Sequence, residues 1–307
     1  MIALNQEVVL KQRHISVKIN KQFSAIRMGD VRTELKGKQV VIVGGTGGLG
    51  RALAQNMAKH GADVLVVGRT FRDQAHQGIR FLQADLSSMR EAERVAALIP
   101  AETLDMLIFT TGIFAAPKRQ ETAEGLEMDM ATSYLNRLLM LDNFMPRLGT
   151  QTHQKPRVFV MGYPGSGSPG VLNDLNAEQS YKSMQVHMNT VAGNEMLVLD
   201  NHHRFQNFSI FGLNPGLVKT DIRSNFLGGN RVIFNLLETL IGWFTPTPEQ
   251  YAQGITPLLI APELDQYSGT LFNQKSQALL PTKGINADDH MQAYLLQSRN
   301  LIAKALA

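Results

Sequence analysis

The chain has 307 residues, 44% of them hydrophobic and 18% charged, and no cysteine. That length suits one large α/β domain with a sizeable core, and the lack of cysteine excludes disulfides, thiolate catalysis and sulfur-ligated metal while fitting a reducing, cytoplasmic setting. The net charge of +4 is a mild excess without a dense basic run or a base-stacking aromatic motif, so no nucleic-acid partner is expected.

Part of that charge lies in the first 38 residues, where Lys11, Arg13, Lys18, Lys21, Arg27, Arg32, Lys36 and Lys38 face only Glu7, Asp30 and Glu34. Residues 1–37 therefore read as a basic, solvated N-terminal extension, and 38–307 as the folded unit. From there short apolar runs alternate with longer amphipathic ones. QVVIVG (39–44), DVLVVG (63–68), IRFLQA (79–84), DMLIFT (105–110), RVFVMG (157–162) and FSIFGL (208–213) look like strands buried on both faces of a parallel sheet. Helical stretches such as GLGRALAQNMAKHG and SMREAERVAALI stand between them. This alternation predicts a single-domain, doubly wound Rossmann-type α/β fold with right-handed crossovers. Beyond the sixth strand, RVIFNLLETLIGWF (231–244) reads as an unusually apolar helix. It is either part of a substrate lid around 222–250 or a surface packed on a partner subunit. The last 21 residues, ADDHMQAYLLQSRNLIAKALA, read as a structural amphipathic helix. No window approaches ~18 consecutive apolar residues, so no membrane span is expected.

The first strand runs directly into Gly44-Gly45-Thr46-Gly47-Gly48-Leu49-Gly50 and then a helix. Gly44 permits a tight turn, Gly48 lets backbone approach a pyrophosphate, and Gly50 allows close helix–strand packing. Bare amides at the helix start then face the phosphates, with Thr46 and Leu49 part of the same contact. The second strand ends on Arg69 and Thr70, where an acid would bind a ribose 2′-hydroxyl. A guanidinium there, helped by Thr70 and Arg72, suits a 2′-phosphate instead, so NADP(H) is expected over NAD(H). After the third strand, Asp85 and Leu86 are expected at the adenine. No His-Glu-x-x-His or comparable spacing indicates a metal.

Several of these motifs resemble the short-chain dehydrogenase/reductase superfamily over about residues 38–275. The Gly44-x3-Gly48-x-Gly50 spacing is similar to its cofactor loop, and Asp85 to its adenine contact. FTTGIF (109–114) stands where that family has Asn-Asn-Ala-Gly-Ile; it keeps Gly112, with Phe109 and Thr110 on the asparagines, and the resemblance implies cofactor contacts at Thr111 and Gly112. LNPGLVKTDI keeps Pro215, Gly216 and Thr220, which the resemblance assigns to the nicotinamide end. EGLEMDMATSYLNRLLML and SGTLFN are similar to the retinol-dehydrogenase-type branch.

The same branch carries Asp-Leu-Asn-x-Glu-x-x-Tyr before its catalytic Tyr-x-x-x-Lys. NDLNAEQSYKSMQVHMNTVAGN aligns with it without a gap through Asp174, Leu175, Asn176, Glu178, Tyr181 and Asn194. That register puts His187 on the tyrosine and Val191 on the lysine. Ser133 stands where the fourth helix offers asparagine, and Tyr163 at or next to the serine. All four members of the tetrad are changed. Histidine titrates near neutral pH unaided, so His187, with Tyr163 and Ser133 beside it, is the expected atypical acid site. The expected function is NADP(H)-dependent interconversion of an apolar ketone or aldehyde and an alcohol. The alternative is a catalytically inactive NADP(H)-binding sensor or scaffold, because Val191 cannot bond ribose hydroxyls. The resemblance further implies a homodimer or homotetramer.

Overall fold

A computed structural model describes residues 17–74, 76–216 and 246–307. Thr220, the apolar stretch 231–244 and nearly all of the expected lid 222–250 lie outside the described residues. The apolar runs form β1 (Gln39–Val43), β2 (Asp63–Gly68), β3 (Ile79–Gln83), β4 (Met106–Phe109), β5 (Arg157–Met161) and β6 (Ser209–Asn214), followed by β7 (Leu271–Asn273) and β8 (Ala278–Leu279). They build one sheet in the order β3-β2-β1-β4-β5-β6-β7-β8. Every pairing is parallel except β7 with β8. The order reverses direction at β1, between β2 and β4, and a crevice opens at such a switch point beyond the carboxyl ends of the strands.

Two helical layers cover the sheet. On one face lie α1 (Val31–Glu34), α2 (Gly48–Lys59) and, later in the chain, α6 (Pro248–Leu259). The other face carries α3 (Met89–Leu98), the fourth helix α4, α5 (Ser183–Arg204) and α7 (Asp288–Leu306). Helix α4 starts at Met128–Met130, passes through a π segment at Ala131–Leu135 and continues as Asn136–Phe144. Alternate residues of β1 feed the two cores: Val40 and Ile42 pack towards α2 and α6, Val41 and Val43 towards α3 and α4. This two-sided burial is why the strands are apolar throughout rather than alternating. Among the described residues no helix is long and apolar enough to cross a membrane.

The expectation of a solvated arm does not hold for residues 17–37. Ile19 bridges Leu279, Asn20 N–H donates to Ala278 O at 2.8 Å, and Leu280 N–H donates to Lys18 O at 2.8 Å. Phe23 packs on Tyr267 and Phe272, and Leu35 is wholly buried. The basic residues are exposed along a segment in which Ile26 and Leu35 are buried and Phe23 packs on the last strands. A charge count alone does not separate that arrangement from a free tail.

Candidate active site

Four strand ends converge at the carboxyl edge of the sheet. The turn after β1 has Gly44 at φ +90° and Gly48 at φ +48°. A Cβ on Gly44 would lie 2.5 Å from Thr111 N, and one on Gly50 would lie 2.3 Å from Thr110 Oγ1. The turn is thus locked against the segment after β4, and glycine is what allows it. Gly50→Ala is expected to destabilise the chain by about 1–3 kcal/mol through overpacking, read by denaturant unfolding. Gly47 caps α2 with no side-chain hydrogen bond, so the first amides of the helix have no intrahelical partner. Arg72 donates to Thr46 O at 3.0 Å and leaves the outer side of the turn open. Arg69 and Thr70 are exposed just beyond β2, whose last residue, Gly68, sits against Thr46. Bare amides beside two exposed arginines fit a diphosphate bearing a further phosphate.

The adenine-side residues differ from each other. Asp85 is exposed, and its carboxylate accepts from Ser87 N and Oγ. Leu86 is buried, and its carbonyl accepts from Asn136 Nδ2 at 2.8 Å. Pro215 and Gly216 follow β6, where Gly216 N–H donates to Asn214 Oδ1. Thr111 Oγ1 is buried without a hydrogen-bond partner among the described residues. Val191 is buried on α5 and presents no donor.

His187 lies in the second turn of α5, with its side chain 17% exposed. Its Nδ1 is 2.9 Å from Oδ2 of Asp129, a residue of α4 with no exposed surface. A carboxylate accepts only, so this contact assigns the ring proton to Nδ1 and leaves Nε2 as the outward ring position. Phe114, on the segment after β4, stacks on the imidazole with ring centres 4.0 Å apart. The imidazole is held by a carboxylate at one nitrogen and by an aromatic face across the ring.

Ser133 sits inside the π segment, a feature frequent at functional sites. Its hydroxyl donates to Asp129 Oδ1 and accepts from Ile113 N at 3.0 Å. Both hydrogen-bonding directions are therefore spent inside the protein, tying the segment after β4 to the Asp129 carboxylate. Asn194 Nδ2 takes the carbonyls of Ser133 and Thr190, each at 2.8 Å. Tyr163 follows β5 on the same edge, 40% exposed, with no hydrogen bond among the described residues.

Asp129 escaped the sequence reading. Its spacing of four from Ser133 puts both on one helix face, but its histidine partner is 58 residues away. Glu127 caps the start of α4, accepting from Met130 N at 2.8 Å. Burial, reinforced by the Asp129 charge and offset by backbone hydrogen bonds, raises its carboxyl from 4.5 to about 7. Between those two values the unfolded chain is ionised while the folded one keeps the proton. Stability from this group therefore falls as pH rises from 4.5 to about 7. Glu127→Gln is expected to flatten that slope, by on the order of 3 kcal/mol over the window, in unfolding measured from pH 4.5 to 8.

Comparisons with known proteins bear on the family of the chain. A short chain dehydrogenase family profile matches residues 38–153. An uncharacterized oxidoreductase of Saccharomyces cerevisiae is 45% identical over 274 residues, which covers 87% of this chain and 88% of the yeast protein. Retinol dehydrogenase 14 of Homo sapiens is 28% identical over 292 residues, covering 83% of this chain and 84% of its own. A solved short chain dehydrogenase from Shigella flexneri, complexed with NADP, shares the fold with a TM-score of 0.57 at 14% identity. It covers 79% of this chain and 99% of its own. This chain belongs to the short-chain dehydrogenase/reductase family and is an oxidoreductase of that family.

Proposed function

We propose that the protein interconverts an apolar ketone or aldehyde and its alcohol with NADP(H), using His187 as the proton donor in the direction of reduction. The observation that carries this reading is the 2.9 Å contact between His187 Nδ1 and the buried Asp129. A histidine held by a buried carboxylate has a defined tautomer and a fixed ring orientation. The dinucleotide would be held by the amides of the Gly44–Gly50 turn, by Arg69 and Thr70 at the 2′-phosphate, and by Thr111, Gly112, Pro215 and Gly216 at the nicotinamide end. When bound in reduced form it supplies hydride to the carbonyl carbon. His187 gives its Nε2 proton to the carbonyl oxygen, so ketone, NADPH and one proton yield alcohol and NADP+. Asp129 keeps the ring in place, and Ser133 holds Asp129.

An apolar substrate is supported by what surrounds the imidazole. Phe114 covers one side, and Met184, 41% exposed, precedes His187 by one turn of α5. Tyr163 offers an exposed phenol at the end of β5 that can orient the substrate oxygen. The test is loss of NADPH absorbance with a panel of aliphatic and aromatic ketones and aldehydes, comparing the wild-type chain with His187→Phe. Turnover that depends on His187 supports the proposal. Binding of NADPH with no turnover on any carbonyl favours the inactive sensor.

A further inference from the structure

Asp73 is buried a few residues beyond the end of β2, in the segment that also carries Arg69, Thr70 and Arg72. Arg51, in the first turn of α2, meets its carboxylate as a fork: Nε donates to Oδ2 at 2.9 Å and Nη2 to Oδ1 at 2.7 Å. Gln55, one turn further along the helix, donates to Oδ1 at 2.7 Å. The hydrogen bonds from Arg51, with that from Gln55 beside them, hold the Asp73 carboxyl below the usual carboxylate range in spite of its burial. Arg51 follows Gly50 directly and stands beside the bare amides of the turn, yet its Nε and Nη2 are both taken by Asp73.

The other contacts of this segment lead to the same turn and to β3. Gly68 sits against Thr46, Arg72 Nη1 donates to Thr46 O at 3.0 Å, and Gln83 Nε2 donates to Arg69 O at 3.2 Å. Phe71 stacks on Phe81 of β3 with ring centres 5.0 Å apart. The stretch from Arg69 to Asp73 is thus fixed by β3 at its start and middle and by α2 at its end, while the side chains of Arg69 and Thr70 stay exposed. An arginine on a segment already held loses less freedom when it closes on a ligand, which is how preorganisation raises affinity. An anion next to Arg72 would by itself repel a phosphate; paired with Arg51, its charge is offset.

We infer that Arg51 and Asp73 are positioning residues for coenzyme choice: their ion pair holds the segment after β2 so that Arg69 and Arg72 are set for a 2′-phosphate that neither member of the pair touches. The inference rests on NADP(H) as the coenzyme and adds the means by which an exposed segment discriminates. It makes the effect of losing Asp73 opposite to that of its charge. By charge alone, removing an anion and freeing Arg51 strengthens binding of the more negative NADPH. Loss of the hold weakens it.

The test is calorimetry of the full chain with NADPH and with NADH, in wild type, Arg69→Ala, Asp73→Asn, Asp73→Leu, Arg51→Met and the double variant Arg51→Met/Asp73→Leu. Asp73→Leu and Arg51→Met are each expected to weaken NADPH binding about 5- to 10-fold and NADH binding by less than ~2-fold. The double variant is expected to be no weaker than either single one, because the same hold is lost in all three. Asp73→Asn, which keeps one acceptor for the fork, is expected to weaken NADPH binding at least ~2-fold and carries the test if Asp73→Leu does not fold. Amide hydrogen exchange without dinucleotide is expected to quicken over residues 69–73 in each of these variants. NADPH binding that is unchanged or tighter in the folded Asp73 variants overturns the inference, and a loss equal for both coenzymes, as general loosening gives, overturns it too. A loss confined to Arg51→Met makes Arg51 a phosphate ligand and likewise overturns it. A wild type without preference for NADPH, or an Arg69→Ala that weakens both coenzymes alike, sinks the NADP(H) reading and this inference with it. Asp73 variants that keep the preference while Arg69→Ala loses it sink this inference alone.

Discussion

His187→Phe is expected to lower kcat for carbonyl reduction by about 10²- to 10⁴-fold, the range supplied by a positioned general acid, while dinucleotide affinity stays within a factor of ~3. Phenylalanine keeps the ring volume and the stack on Phe114, so the substitution removes the proton and the contact to Asp129 with little change of shape. Asp129→Asn is the companion measurement. Asparagine keeps the size of the side chain, but its amide can donate to Nδ1, reversing the ring's tautomer. It is expected to cost nearly as much as loss of the imidazole, because the two act as a unit. Tyr163→Phe separates the remaining candidate. A phenol that only orients substrate changes KM more than kcat, whereas a phenol that is itself the acid would make this variant the most damaged of the three. If His187→Phe retains wild-type kcat, His187 has no part in the proton transfer.

Arg69→Ala is expected to weaken NADPH binding by ~10- to 100-fold and NADH binding by less than ~3-fold, read by calorimetry with each coenzyme. The physical reason is charge. A 2′-phosphate is a dianion that a guanidinium can engage through two parallel hydrogen bonds, and loss of a hydrogen bond to a charged group costs about 1.5–3 kcal/mol. That energy corresponds to ~10- to 100-fold in affinity. NADH has a hydroxyl at this position and loses little. Arg69 is exposed in the described chain, so its removal leaves no cavity and stability should stay within ~0.5 kcal/mol. The effect should also shrink as salt is raised, since the contact lies at the surface. Equal losses for both coenzymes would refute the 2′-phosphate assignment.

Local structure was legible because it follows from local spacing. Continuous apolar runs of five or six residues required strands covered on both faces, and β1 to β6 lie within a residue or so of those runs. The Gly44–Gly50 spacing named its own turn, since positive φ and the missing Cβ room at Gly44 and Gly50 are properties of glycine. The gap-free match around Asp174 and Asn194 likewise offered His187 as a candidate. The two-residue strand β8 was not legible: at that length its pairing with β7 is decided by contact, not by pattern.

What the sequence by itself determined was the doubly wound sheet and the glycine turn after β1, with His187 offered as a candidate acid. Only the tertiary structure decided which groups act on that histidine. Asp129 meets that histidine from 58 residues away, and the buried Arg137 likewise finds its acceptors 26, 24 and 57 residues away. The same holds for residues 17–37, which composition presents as a basic tail but in which residues 18–20 meet the last strand and Leu35 is buried. Periodicity and propensity act between near neighbours along the chain. The burial of a charge, and the acceptors that make it tolerable, exist only once distant segments have been brought together.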